Sequence, residues 1–311
     1  MISVIICSAR AKDLQEVKLN IAETIGVPYE IIAYDNSDGN RGICEVYNAG
    51  ARQAKYDTVC FMHEDIEIKT ENWGNTVLNI FSENKEVGVV GVAGGGYKAL
   101  APSGWYCVEY NSPDRYFQNF LQGFKYKTKE EIYAYNNPYQ QKLSEVVCVD
   151  GMWFCTKKSV LKDKTFDEDM LKSFHGYDVD FCLGVFGKHK IVVTYDILMK
   201  HFSEGNFNKS WLNELLKVHS KWSKHLPLTI TKSLSEVDLY NTEKRALKNM
   251  VEQMLKWDYS FYAIHRMLIS VAKSRKMPLR LFFKGYVHLI EQRVKLKDLT
   301  ESASGPIANI S

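Results

Sequence analysis

A chain of 311 residues, 45% of them apolar, can bury one large core and carry an appendage beside it, which excludes disorder as the default state. Its seven cysteines, Cys7, Cys44, Cys60, Cys107, Cys148, Cys155 and Cys182, form no CxxC pair and no His/Cys cluster, so they read as reduced thiols of a cytoplasmic protein. The net charge is only +3, yet residues 241–300 hold 13 Lys/Arg against 5 Asp/Glu, a basic module on an acidic body. A solvated helix face is the simpler account of that module; contact with anionic lipid, nucleic acid or an acidic partner is the other. No basic segment precedes the apolar run Ile2 to Cys7, and no stretch of about 18 uncharged apolar residues occurs, so neither secretion nor membrane spanning is expected.

Over the first hundred residues, apolar β-rich runs alternate with helical patterns. The runs are 3–8, 29–37, 58–65 and 87–95, with helices expected near 11–25, 43–54 and 72–84. This is the βαβ rhythm of a mostly parallel sheet. The strands end in small or polar residues: Ser8, then Asp35-Asn36-Ser37-Asp38, then His63-Glu64-Asp65. Polar groups therefore collect at the carboxyl edge, where open α/β sheets bind ligands. Residues 97–145 lose this periodicity in an aromatic, polar stretch expected to form long loops and short elements. Order returns with 145–160 as a pair of strands, 178–188 as a helix, 190–202 as one further strand and 208–222 as a closing helix. After Pro227 the pattern is helical and basic. The expected organisation is a domain over 1–228, a basic helical appendage over 229–298 and a disordered tail over 299–311.

Several residues have the chemistry of a site. His63, Glu64 and Asp65 follow a buried-looking strand where burial would penalise charge, so they should emerge at the sheet edge and meet a cation. Hard divalent ions take oxygen ligands, one or two carboxylates plus substrate phosphates, and Asp65 is the first candidate. The run lacks the second histidine and the helix of HExxH, which excludes a metalloprotease. Gly94, Gly95 and Gly96 lack the Lys-Ser/Thr of a P-loop and read as a turn. Asp178 and Asp180 begin a helix beside His175 and Gly176, where the helix dipole favours carboxylates. His201 follows an apolar strand and can offer its imidazole to a metal or a phosphate.

In order, these segments resemble the family 2 glycosyltransferases, and especially their glycosyltransferase-like branch, over residues 1–225. Ser3–Ser8 is similar to the opening strand, and Asp35-Asn36-Ser37 to the turn whose aspartate reads the nucleotide base. Asn48 and Gly50 stand where such enzymes have an Asn-x-Gly helix, and 58–66 stands at the DXD strand. Residues 147–161 with Phe166-Asp167-Glu168 resemble the acceptor-side segment, 175–184 the catalytic xED region and Lys200-His201-Phe202-Ser203 the late metal-site histidine. Two positions depart from the pattern: His63 replaces the first Asp of DXD, and Tyr177 replaces the Glu before the catalytic Asp.

The resemblance implies an α/β, GT-A, Rossmann-like nucleotide-sugar-binding fold with a mostly parallel central sheet and a helical C-terminal appendage. It implies inverting transfer of a sugar from a UDP-linked donor to the hydroxyl of a glycan or lipid-linked acceptor in surface polysaccharide synthesis. Ser8, Asp35, Glu64 and Asp65 would bind the donor; Asp65, His201 and His63 would hold Mn2+ or Mg2+; Asp178 would be the base. Asp150 would position the acceptor, with Trp105 and Trp153 as stacking platforms. No nucleic-acid partner is expected. Rival readings are an inactive nucleotide-sugar or glycan-binding module and a sugar-nucleotide pyrophosphorylase, whose glycine-rich basic signature Ser8-Ala9-Arg10-Ala11 does not supply. In the appendage, Met250, Met254, Trp257, Phe261, Ile264 and Leu268 recur at helical spacing, and basic and bulky residues interleave from Lys273 to Lys284. That pattern is expected to pack on the body, to form a homodimer, or to lie against the inner face of the membrane, and to be removable without loss of nucleotide binding.

Overall fold

The computed structural model describes residues 1–303 except 126–128, 204, 206, 232–233 and 275–277, and over 296–303 the backbone alone. The first part follows the expected alternation: β1 (Ile2–Ser8), α1 (Ala11–Thr24), β2 (Tyr29–Asp35), α2 (Ile43–Gln53), β3 (Thr58–Met62), β4 (Ile66–Ile68), α3 (Trp73–Glu83) and β5 (Val87–Gly91). Next come β6 (Ala93–Gly95), β7 (Tyr97–Lys98), β8 (Tyr116–Gln122), β9 (Ile132–Asn136), β10 (Leu143–Val146), β11 (Cys148–Val149), β12 (Trp153–Lys157) and α4 (Lys158–Asp163). The chain continues through α5 (Tyr177–Val185), β13 (Lys190–Thr194), β14 (Met199–His201) and α6 (Lys209–Trp222). It ends with β15 (Leu228–Thr229), α7 (Glu236–Lys256), α8 (Phe261–Ala272) and α9 (Leu279–Ala303).

The main sheet has the order β10-β13-β5-β12-β3-β1-β2. β1 is parallel to β2 and β3, and β13 to β5, while β12 runs antiparallel between β3 and β5. β1, β2, β3, β5 and β13 therefore point the same way, which makes the sheet mostly parallel. Side-chain alternation divides the core between its two faces. Ile5, Val59 and Phe61 face one cluster with Tyr47 and Phe154, and Val4, Ile6, Cys60 and Met62 face the other with Trp73 and Trp153. Gly50 lets α2 lie close against β1, because a Cβ there would come within 2.5 Å of Ile5 Cγ2.

A second sheet, β11-β6-β8-β14-β4 with β9 on β8, takes strands from distant parts of the chain. Residues 63–65 carry the chain from β3 into β4. The single strand expected over 190–202 is divided, β13 staying in the main sheet and β14 joining the second. At the crossing, the carbonyls of Tyr195 and Ile197 accept hydrogen bonds from Asn119 Nδ2 at 2.8 and 3.1 Å, so no ladder is needed there. The pair of strands expected over 145–160 becomes three short strands and α4. Gly94 and Gly95 lie in β6 and not in the expected turn. Bare glycines here admit the loop that follows β7, since a Cβ on Gly95 or Gly96 would lie 1.9 and 2.0 Å from the carbonyl oxygens of Trp105 and Asp114.

The pattern change near 229 marks new secondary structure inside one continuous core. β15 pairs with β7, and Leu247, Met250, Val251, Ile264, Leu268, Leu281 and Leu289 belong to the same cluster as Phe61 and Phe154. Within that contact, Glu243 of α7 is 3% exposed. Its carboxylate accepts from Tyr97 Oη and from the Leu100 amide, the latter at 3.0 Å. α9 runs to Ala303, into the segment expected as a tail, and 304–311 lie outside the described residues, as do Arg275 and Lys276. Among the described residues no helix is long and apolar enough to cross a membrane.

Removing the acceptor at 243 strands two buried donors. Glu243→Ala should therefore cost about 1–3 kcal/mol of stability, and Glu243→Gln, which keeps the acceptor oxygen, distinctly less, as read from urea denaturation midpoints.

Candidate active site

A cavity of about 860 Å3 opens at the carboxyl ends of β1 and β3 and is walled on the far side by α6 and α7. This is the size of a small-ligand site. Its wall includes Ser8, His63, Glu64, Asp65, Trp105, Asp150, Asp178 and His201, which brings most of the residues singled out in the sequence to one place.

Successive residues at the β3 exit diverge. His63 and Asp65 turn toward His201, and Glu64 turns toward the start of α1. The Glu64 carboxylate accepts from Ser8 Oγ at 2.6 Å and from the amides of Ala9 and Arg10 at 3.1 and 3.2 Å. Ser8 and Glu64 thus shape the loop between β1 and α1 as well as lining the cavity.

His201 reaches Asp65 through sheet register: it pairs with Ile66 across the β14–β4 ladder, and the Phe202 amide donates to the Asp65 carbonyl at 2.9 Å. Asp65 Oδ1 lies 3.5 Å from His201 Nε2 and 3.9 Å from His63 Nδ1, and one ligand atom from each residue fits within 4.8 Å of the others. Burial alone would raise the Asp65 pKa, but the imidazoles of His201 and His63 beside it hold the carboxyl well below the usual range. Burial lowers the pKa of His63 and favours the neutral, ligating form. His201 Nε2 is buried with no hydrogen-bond partner among the described residues, although such atoms are normally satisfied. Two imidazoles and a carboxylate around one point fit a divalent cation.

Asp178 lies one residue into α5, whose N-cap Gly176 has φ 77°, a left-handed conformation that favours glycine. Its carboxyl is half-buried at the cavity wall. Desolvation and the nearby charge of Asp150 push its pKa up to about 7, against the pull of the backbone groups of Val179, Asp178 and Gly151. Tyr177 is wholly inside: its hydroxyl donates to the Gly151 carbonyl at 3.0 Å and lies 2.8 Å from His63 Nε2. Gly151 must be bare here, because a Cβ would stand 2.2 Å from that oxygen.

Other residues find different places. Asp35 is exposed, its carboxylate accepting from the Ser37 amide at 2.9 Å, and the neighbour that lines the cavity is Asn36. Trp153 cannot be a stacking platform: it is fully buried, edge-on to Trp73 at 5.8 Å. Its position in β12 points it into the core, while Trp105 remains at the wall. Asn48 clamps the chain after α4, its Nδ2 donating to the Phe166 carbonyl at 2.9 Å and its Oδ1 accepting from the Phe166 amide at 3.1 Å. Asp180 sits under Lys164 and Lys221 at 2.7 Å each, a buried ion cluster away from the cavity.

Sequence reasoning did not find Phe207 and Trp211, ring centroids 5.2 Å apart at the cavity wall, nor Ala246, Asn249, Met250 and Gln253 of α7. Helical spacing was readable in both helices, but not the object their faces meet. Asn249 Nδ2 donates to Glu109 Oε1 at 2.6 Å and so ties α7 to the aromatic loop. The appendage is therefore part of the cavity, and removing it would open one wall.

The profile of the family described as "Glycosyltransferase like family" matches residues 3–224. No curated protein is a significant sequence match. Among solved structures, S. aureus TarS 1-349 in complex with UDP-GlcNAc superposes with a TM-score of 0.54 at 11% identity, covering 97% of this chain and 92% of that one. The same protein with UDP gives 0.55 at 12%, covering 97% and 91%. GalNAc-T7 with UDP, GalNAc and Mn2+ gives 0.50 at 9%, covering 94% of this chain and 57% of that one. At these identities the likeness is one of fold.

Mn2+ at about 100 times its dissociation constant should stabilise the chain by about 2.7 kcal/mol. Asp65→Ala should abolish that gain in thermal melts run with and without a chelator; an unchanged gain would place the ion elsewhere.

Proposed function

The chain belongs to the glycosyltransferase-like family and is a glycosyltransferase; from that premise we propose that it moves a sugar from a UDP-linked donor to an acceptor hydroxyl, with inversion, in the synthesis of a surface glycan. The observation that carries the reading is that Asp178 stands on the wall of the same cavity as the His63, Asp65 and His201 cluster, where burial and the charge of Asp150 push its carboxyl pKa up to about 7. A general base is most effective when its pKa lies near the working pH.

The roles divide by position. Asp178 takes the proton of the acceptor hydroxyl as it attacks the anomeric carbon. The charge of Asp150 beside it helps raise the pKa of Asp178, and Asp150 holds the 150–152 turn by accepting from the Met152 amide at 2.7 Å. His63, Asp65 and His201 would hold a divalent ion, Mn2+ or Mg2+, which would supply positive charge to offset that on the departing diphosphate. Asn36 and the loop after Ser8 line the nucleotide side, and Trp105, Phe207 and Trp211 line the acceptor side with apolar rings suited to sugar faces. The seven unpaired thiols support a cytoplasmic site.

Asp178→Asn should lower turnover about 10²–10⁴-fold while leaving UDP-sugar affinity unchanged, measured by UDP release and by calorimetry. Because the base acts deprotonated, kcat/KM of the native chain should rise with pH through about 7 and then level. Flat behaviour across that range, or an active Asn variant, would remove Asp178 from the role. UDP-sugar binding without turnover on any acceptor would favour the inactive binding module.

A second reading concerns α9. Leu279, Phe283, Val287, Ile290 and Val294, between 53% and 75% exposed, form one stripe at helical spacing, with Arg280, Arg293 and Lys295 exposed beside it. An apolar stripe edged with cations suits the interface of an anionic membrane, where each basic residue contributes about 1 kcal/mol. The chain should cosediment with anionic vesicles at low salt and release at high salt, and Phe283→Glu with Val287→Glu should abolish this. Indifference to vesicles together with a dimeric mass in solution would make the stripe a self-contact instead.

A further inference from the structure

The two departures from the family pattern touch each other. Tyr177, in place of the usual Glu, holds His63, in place of the usual Asp, through a hydroxyl 2.8 Å from Nε2. The same hydroxyl is 3.0 Å from the Gly151 carbonyl, which can only accept, so the phenol proton belongs to that bond. The phenol oxygen then faces His63 with lone pairs alone, and Nε2 must carry the imidazole proton. A neutral imidazole has one proton, so Nδ1 is left bare. Nδ1 lies on the side of Asp65, 3.9 Å from Oδ1, beyond hydrogen-bond distance and within reach of a shared ion. Glycine at 151 is what admits this hydroxyl, since a Cβ there would stand 2.2 Å from it.

We infer that Tyr177 is the positioning residue of the cation site: it fixes the His63 tautomer so that Nδ1 becomes a ligand, and the resulting set of two imidazoles and one carboxylate favours transition-metal ions, in the order Co2+ over Mn2+ over Mg2+. This rests on the reading that His63, Asp65 and His201 hold a divalent ion. Imidazole suits the later first-row metals, whereas Mg2+ demands oxygen ligands and parts reluctantly with its water. Partners behind a ligating histidine set its orientation and basicity, and their loss typically lowers metal affinity about 10–100-fold.

The test is calorimetric titration of the full chain with Co2+, Mn2+ and Mg2+ alone, for the native chain, Tyr177→Phe and Asp65→Ala, with melting curves to show that each is folded. Native affinities should fall in the order given, and Tyr177→Phe should weaken Mn2+ by about 10–100-fold. Independently, ¹⁵N spectra of histidine-labelled, metal-free native chain should show His63 protonated at Nε2, and Tyr177→Phe should show a mixture of tautomers. Mg2+ binding as tightly as Mn2+ would overturn the selectivity. His63 protonated at Nδ1 in the native chain, or Tyr177→Phe with native Mn2+ affinity, would overturn the positioning role. If only Tyr177→Phe keeps native affinity, the cation site stands without its support; if Asp65→Ala keeps it too, the cluster is not the site and the functional reading fails with it.

Discussion

Residue 201 is tied to residue 65 by the backbone: His201 lies opposite Ile66 in the β14–β4 ladder, and the Phe202 amide donates to the Asp65 carbonyl. This register is what the rest of the site depends on. A slip of one residue would turn His201 to the other face of its sheet, because side chains alternate along a strand. The slip is opposed from the other side of β14 by β8, which runs parallel to it and whose Gln122 side-chain amide donates to the Ser203 carbonyl. A position set by ladder bonds is far stiffer than one on a free loop. Three ligand atoms can therefore be held close without any ion to gather them.

The main sheet supplies the other half of the arrangement. β3, buried throughout, delivers His63 and Asp65 at its carboxyl end, and α5, entered through a left-handed glycine, delivers Tyr177 and Asp178 opposite them. Asp178 and Tyr177 are consecutive but serve different neighbours, the carboxyl at the cavity and the phenol beneath His63. The Asp178 carboxyl and the Tyr177 hydroxyl that meets His63 are thus set by one helical turn.

Much of this was legible in the chain because it rests on local periodicity. The α1, α2 and α3 helices fall within a residue or two of where the apolar spacing puts them, and the polar endings of β1, β2 and β3 mark the edge where the cavity opens. What was not legible depends on distant partners. The division of 190–202 turns on Asn119, 76 positions from Tyr195, which satisfies the carbonyls at the crossing. The fate of Trp153 turns on which face of β12 meets Trp73, and nothing in its own neighbourhood distinguishes a core tryptophan from a stacking one. Tyr177 and His63 each look like a loss from the family pattern when read singly. Only their contact, across 114 positions, joins the two departures.

The family profile ends at residue 224, while the cavity wall continues to Gln253. The matched stretch holds the sheet, the His63, Asp65 and His201 cluster and Asp178, and the stretch beyond it supplies Ala246, Asn249, Met250 and Gln253 to the same cavity wall. Two lengths of chain thus close one cavity, and one core unites them. A change on one face of α7 would reshape the cavity without altering any residue of the matched stretch. Any such change is bounded by the buried clasp of Glu243 on Tyr97 and Leu100, which ties the two lengths of chain together.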